Sequence, residues 1–206
     1  MLFFSFFICF HITIKIDFYY HDFLLSNYKV KIIEHDNRIS RMETETEIYF
    51  FGIKNEFGYM SNFYKCEFID SNGIKYNCNE QYFMYRKCEL FDPSNEILKQ
   101  QILFETSPTK IKKYGRQVKN YSDSVWDSKR YNIMLDGLRL KFSQNDVLRQ
   151  KLLATGNKTL YEASPFDKIW GIGFQAIYAM NKDKSLFGKN LLGKALMKVR
   201  SELQNY

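Results

Sequence analysis

Glu80 and Lys87 stand seven positions apart in the segment Asn79-Glu80-Gln81-Tyr82-Phe83-Met84-Tyr85-Arg86-Lys87. Seven residues is close to two helical turns, so on a helix both side chains leave one face with Cα atoms about 10 Å apart. Tyr82, Phe83 and Met84 surround them with apolar bulk. Such surroundings favour neutral forms, raising a carboxyl pKa and lowering that of an amine. Both changes suit proton transfer, and a neutral lysine also suits covalent amine chemistry. The same spacing serves an ordinary helix with one core face and a surface charge pair, so on its own it only nominates candidates.

Three further segments carry groups of the right kind. In Ser164-Pro165-Phe166-Asp167-Lys168-Ile169-Trp170-Gly171-Ile172-Gly173, two glycines after a tryptophan let backbone approach a ligand closely. The indole offers a stacking face, and Asp167 follows a proline-started loop. In Tyr59-Met60-Ser61-Asn62-Phe63-Tyr64, two short hydrogen-bonding side chains sit between aromatics, a mixture suited to ribose hydroxyls or phosphate. Gly188-Lys189-Asn190-Leu191-Leu192-Gly193 places a helix N-terminus after a glycine, where anions are received. Each also has a plain structural reading: a tight turn with a buried indole, a polar turn before a strand, and a helix packed by Leu, Ala and Met.

Composition narrows the chemistry. All three histidines, His11, His21 and His35, fall within residues 1–41. A domain that begins after them excludes Ser-His-Asp triads, His-metal sites and histidine acid–base work together. No C-x-x-C pair joins Cys9, Cys66, Cys78 and Cys88, so no metal site and no cofactor are expected, and a reducing, cytoplasmic setting fits best. Net charge is +7, which favours anionic partners, although Lys and Arg are scattered and not blocked. The 19 Phe and 15 Tyr share AT-rich codons with Ile, Asn and Lys, so the aromatic excess does not by itself imply function.

Residues 1–41 contain no Gly, Ala or Pro and differ from the rest. Their apolar opening meets Lys15 and Asp17 before reaching the roughly 20 residues of a spanning helix, and it lacks the flanks of a signal peptide. They are expected to be an N-terminal extension, either untranslated upstream sequence or disordered, with residues 42–206 forming the domain. An ordered extension and a membrane anchor are the alternatives.

The elements that must position the candidates follow from pattern. Ile48–Phe51 and Tyr64–Ile69 read as strands, and Asp70-Ser71-Asn72-Gly73 turns into Ile74–Tyr76 as a hairpin. Asn77 or Asn79 is expected to cap a helix through Glu80–Leu90, Ser94 a helix to about Phe104, and Ser107-Pro108 a helix to about Gly115. An apolar stripe predicts a helix over 123–142, and Asn145 is expected to cap another that stops at Thr155-Gly156. Thr159–Ala163 is extended, Pro165–Gly173 is a loop, and Asn190–Leu203 is a closing helix. The predicted fold class is α+β, a mainly helical single domain with a small β-sheet.

In this order the segments resemble the YbiA/NADAR family. The pieces are Ser61-Asn62-Phe63-Tyr64, Glu80-Gln81-Tyr82-Phe83, Gly115-Arg116-Gln117-Val118, Val125-Trp126-Asp127, Lys141-Phe142-Ser143-Gln144-Asn145, Leu153-Ala154-Thr155-Gly156, Asp167–Gly173 and Asn190–Met197. The resemblance implies an N-glycosidase that hydrolyses N-ribosylated amines such as the phosphoribosylamino-pyrimidine intermediates of riboflavin biosynthesis. Removal of ADP-ribose from guanine in nucleic acid, or a non-catalytic ADP-ribose reader, are the alternatives it leaves. Carried over by position, Glu80 would be the general acid/base, Lys87 the imine-forming amine and Asp167 the group polarising the sugar. Ser61, Asn62, Phe63, Tyr82, Trp170, Gly171, Gly173 and Asn190 would contact substrate. The expected partner is a ribosyl-phosphate or ADP-ribosyl small molecule, with nucleic acid as a modified substrate and no stable membrane association. The departure is Gln81, where many members carry His.

Overall fold

A computed structural model describes residues 31–33 and 41–204, with side chains from residue 43 onward. The histidines and the apolar opening lie outside the described residues, as does the membrane-anchor alternative placed on them. Four strands form one sheet: β1 (Lys31–Ile33), β2 (Arg41–Glu43), β3 (Glu47–Phe50) and, much later in the chain, a strand spanning Thr159–Glu162. The first three are antiparallel neighbours, so the boundary expected between residues 41 and 42 runs through a strand that pairs with the domain. β3 pairs in parallel with the late strand, aligning Ile48 with Leu160 and Phe50 with Glu162. Parallel neighbours need a crossover connection, and here the helical body of the protein supplies it.

Within that crossover a two-stranded hairpin comes first, β4 (Phe68–Ile69) with β5 (Lys75–Tyr76). The strand expected over Tyr64–Ile69 shrinks to its last two residues because Asp70 draws the chain into a tight turn. Its Oδ1 accepts from the amides of Asn72 and Ile74, and its Oδ2 from the Tyr76 hydroxyl. Gly73 completes the turn at φ 79°, a backbone state that glycine adopts without strain.

Helices α1 (Asn79–Phe91), α2 (Glu96–Phe104), α3 (Pro108–Tyr114), α4 (Asp123–Ser143) and α5 (Asp146–Leu153) follow, leading into β6 (Thr159–Glu162). A short α6 (Ala176–Ala179) and the closing α7 (Leu191–Gln204) complete the chain. The expected α+β class holds, with helices outweighing a small sheet. None of the helices among the described residues is long and apolar enough to cross a membrane.

The caps differ from expectation in ways that matter for the site. Cys78, not Asn77 or Asn79, precedes α1, and its side chain caps nothing. Gln81 does the work: its Oε1 accepts from Asn77 N at 2.7 Å, while its Nε2 donates to the carbonyls of Ile102, Leu103 and Glu105. One buried amide thus ties the start of α1 to the end of α2. The Gln-for-His departure therefore falls on a structural tie between two helices. Substituting Gln81→Leu strands the Asn77 amide and the carbonyls of Ile102 and Leu103, while Glu105 O keeps its bond from Asn77 Nδ2, so stability is expected to fall by about 2–3 kcal/mol. Urea unfolding checks this, and a loss below about 0.5 kcal/mol would contradict it.

Asn95, in place of Ser94, caps α2 through Oδ1 and Leu98 N, and is itself steadied by Asp92. Asn145 precedes α5 but spends its side chain on the carbonyls of Glu67 and Lys141, bridging hairpin to helix instead of capping. Along α4 the buried stripe includes a cation, Lys141, whose Nζ donates to Ser61 O at 3.0 Å. Burial pushes its ammonium down to about 8. The segment holding Ser61 and Asn62 is therefore anchored from below by a lysine on a core face.

Candidate functional site

The first turn of α1 is built against the segment 61–63. Glu80 N donates to Asn62 O at 3.0 Å, and Asn79 Nδ2 donates to Asn62 Oδ1 at 3.0 Å. Ser61 Oγ accepts from Phe63 N, which sets the turn. Asn62 is buried in this strap, while Phe63 is partly exposed with Lys112 Nζ 5.9 Å from its ring centre.

Glu80 is buried, and burial pushes its carboxyl up to about 7. Lys112 and Arg116, at the end of α3, oppose that rise, Asp167 adds to it, and Lys87 opposes it more weakly. Two turns on, Lys87 is partly buried, donates Nζ to Gly115 O at 2.9 Å, and faces the rings of Tyr121 at 4.4 Å and Trp126 at 5.5 Å. Burial lowers its pKa, Arg116 lowers it further, and Asp123 and Glu80 raise it. Phe83, one turn from each, lies between. Its ring centre is 4.9 Å from that of Trp126 and 5.3 Å from that of Trp170, the latter edge-on at 87°. Acid, amine and the indole of the later loop are thus gathered on one side of α1.

The loop after β6 closes the site. Asp167 Oδ1 accepts from Ile169 N and Trp170 N, both at 2.8 Å, so this carboxylate folds its own loop as well as adding charge near Glu80. Gly171 is compelled by space: a Cβ there would stand 2.8 Å from Glu162 O and 2.9 Å from Asp167 O. Gly173 sits at φ 78°.

Two expected substrate contacts do other work. Tyr82 points to the hairpin, its ring 5.1 Å from Tyr76 and 6.2 Å from Phe68, within the core. Asn190 is buried, and its amide is spent on the strand: Nδ2 donates to Leu160 O and Oδ1 accepts from Glu162 N. Its φ of 50° fits a residue that turns the chain into α7.

The structure adds three groups that the sequence reading gave no role: Lys112, Arg116 and Glu162. Lys112 lies in the last turn of α3 and Arg116 two residues beyond its end, so no helical spacing pairs them. Glu162 follows Leu160 by two, so strand alternation turns both toward the helix-covered side. That strand alternation is the available signal, and it reaches Glu162 alone.

A family model described as the NADAR domain matches residues 49–204. The chain belongs to the NADAR family. Similar NADAR proteins include N-glycosidase R617 of Acanthamoeba polyphaga mimivirus, 44% identical over 79% of this chain and 99% of that protein. N-glycosidase YbiA of Escherichia coli is 30% identical over 81% of this chain and 94% of its own length. Riboflavin biosynthesis protein VVA0006 of Vibrio vulnificus is 32% identical over 79% of this chain but only 40% of that protein. The solution NMR structure of E. coli YbiA superposes with a TM-score of 0.63 at 31% identity, covering 82% of this chain and 90% of that one.

For this NADAR domain, the raised Glu80 carboxyl has a consequence for stability. Unfolded it ionises near 4.5 and folded near 7, so rising pH strips the unfolded chain of its proton first. Stability therefore falls as pH climbs from about 4.5 to about 7 and then levels, at a cost on the order of 3 kcal/mol. Glu80→Gln is expected to melt on the order of 5 °C above the parent at pH 8.5 and level with it at pH 4. Differential scanning calorimetry at the two pH values checks it. A variant less stable at pH 8.5 would contradict it.

Proposed function

We propose that this chain is an N-glycosidase that hydrolyses the C1′–N bond of N-ribosylated amines, with phosphoribosylamino-pyrimidine intermediates of riboflavin biosynthesis as substrates. The observation that carries the reading is the gathering of a buried carboxyl, a partly buried lysine of lowered pKa and the Phe83–Trp170 aromatic pair on one side of α1. The names of the NADAR relatives support the same chemistry.

The residues divide the work as follows. Trp170 and Phe63 present ring faces to the base, and the 61–62 segment presents polar groups to the ribose. A ribosylamine opens when its C1′–O4′ bond breaks and O4′ takes a proton, leaving an iminium at C1′. Lys87, whose pKa burial and Arg116 lower, adds Nζ in its neutral form to C1′ and passes a proton to the Glu80 carboxylate. The C1′–N bond to the base then breaks as the departing nitrogen gains a proton. Water adds to the lysine imine and releases ribose phosphate. Lys112 and Arg116 at the mouth favour the substrate phosphate.

Incubation with 5-amino-6-(5-phosphoribosylamino)uracil tests the reading. Release of ribose 5-phosphate is expected, and its absence sinks the proposal. A second reading, removal of ADP-ribose from guanine in nucleic acid, is favoured by the exposed Lys110, Lys112, Lys113, Arg116 and Lys119 along one segment. An oligonucleotide ADP-ribosylated on guanine separates the two. The free thiols of Cys66, Cys78 and Cys88 suit the cytoplasmic setting proposed with either.

A further inference from the structure

Glu162 occupies the last position of β6, and the fold fixes it from three sides. Its amide donates to the Asn190 side chain at 3.0 Å, and its carbonyl accepts from Ile172 N at 2.9 Å. Gly171 passes so close to that carbonyl that no side chain fits there. The backbone is pinned, yet the carboxyl is not: Oε2 is buried and has no hydrogen-bond partner. A buried carboxyl oxygen left without a donor is costly, and a catalytic role or a ligand or water that supplies the missing bond accounts for such a group.

Its electrostatic surroundings are those of the candidate site. Glu80 from α1, Asp167 from the loop after β6 and Lys112 from α3 are the charged groups acting on it. Glu80 in turn is acted on by Lys112, Arg116, Asp167 and Lys87.

Building on the N-glycosidase reading, we propose that Glu162 is a second catalytic residue, the general acid that protonates the departing amine while Glu80 serves as base. In this step the C1′–N bond breaks with its electron pair going to nitrogen, which takes the Glu162 proton. Glu162 regains a proton from the water whose oxygen adds to C1′ of the lysine imine, and Glu80 returns its proton to Nζ as the carbinolamine collapses and frees Lys87. No other reactant is consumed.

Two carboxyls in unlike surroundings divide acid and base roles when their pKa values separate. Burial, with Asp167 and Glu80, pushes Glu162 up to about 8 against Lys112, whereas Glu80 stands at about 7. Lys112, Arg116 and Lys87 all favour the ionised form of Glu80, whereas Lys112 alone does so for Glu162, so Glu162 is the carboxyl that keeps its proton.

The test compares the full chain with Glu162→Gln and Glu162→Asp on 5-amino-6-(5-phosphoribosylamino)uracil across pH 5.5–9.5. For Glu162→Gln, kcat is expected to drop about 10²-fold with KM little changed, and the alkaline fall in rate near pH 8 should vanish. Glu162→Asp should recover part of the rate and keep the alkaline limb. A merely structural role would lower yield or melting temperature and leave the shape of the profile intact. Parent-like kcat and profile in Glu162→Gln overturn the inference alone, whereas a parent chain that releases no ribose 5-phosphate overturns the site reading beneath it. Carbon-13 NMR of Glu-labelled protein gives a readout free of substrate, with the Glu162 signal assigned by its loss or shift in either variant. Glu162 should titrate above pH 7 and shift to lower pH in Glu80→Gln, since a negative neighbour has gone. Titration near 4.5, or indifference to Glu80→Gln, overturns the acid–base pair.

Discussion

Glu80→Gln is expected to lower kcat on 5-amino-6-(5-phosphoribosylamino)uracil by about 10²–10⁴-fold, with KM changed less than about threefold. The amide matches the carboxyl in size and keeps the first turn of α1, because that turn is held by backbone bonds to Asn62 and by Gln81. What it removes is proton exchange. The carboxyl is pushed up to about 7 by burial, so the parent rate should climb with pH through about 7, and that acidic limb should be absent from the variant. Initial rates over pH 5.5–9 decide it. A Glu80→Gln enzyme with parent-like kcat would show that Glu80 is only a buried carboxyl at a helix start.

Lys87→Met is expected to be at least as damaging, with turnover lost by about 10³-fold or more, since the bond-forming nitrogen itself is gone. Methionine keeps much of the length and apolar bulk of the lysine, whose Nζ faces the Tyr121 and Trp126 rings, so the fold should survive. Lys87→Arg is the sharper variant. It restores the charge, and it can still donate to Gly115 O, but a guanidinium does not lose its proton in a protein and forms no imine. Both variants should therefore be inactive and folded. An active Lys87→Arg would mean that charge alone is used and that water attacks C1′ directly.

The parts of this site that lie on one element were legible beforehand. Glu80, Phe83 and Lys87 share a helix, and helical period alone places them together. The Trp170 loop came with its glycines, whose purpose the structure explains: Gly171 has no room for a Cβ beside the carbonyls of Glu162 and Asp167. What the sequence left hidden depends on contacts between distant segments. Gln81 has the look of a site residue beside Glu80, but one helix position turns it toward α2, where three carbonyls occupy it. Tyr82 is turned the other way into the hairpin, and Asn190 spends its amide on β6. Glu162 does not stand out in the sequence because Thr159–Ala163 reads as a plain strand. Its meaning appears only when β6 is laid beside β3 with the helices over its face. The pairing of β1 with β2 and of β2 with β3 is equally illegible, since strands of three residues carry too little alternation to register.

The imine is the feature on which the whole account turns, and it can be caught. Sodium borohydride added to the enzyme during turnover reduces a C1′ imine to a stable amine, and peptide mass mapping locates the ribose phosphate. Irreversible loss of activity is expected, with one adduct, on Lys87, absent from Lys87→Arg. Full turnover that borohydride leaves untouched, or an adduct confined to another lysine such as Lys112, would contradict it.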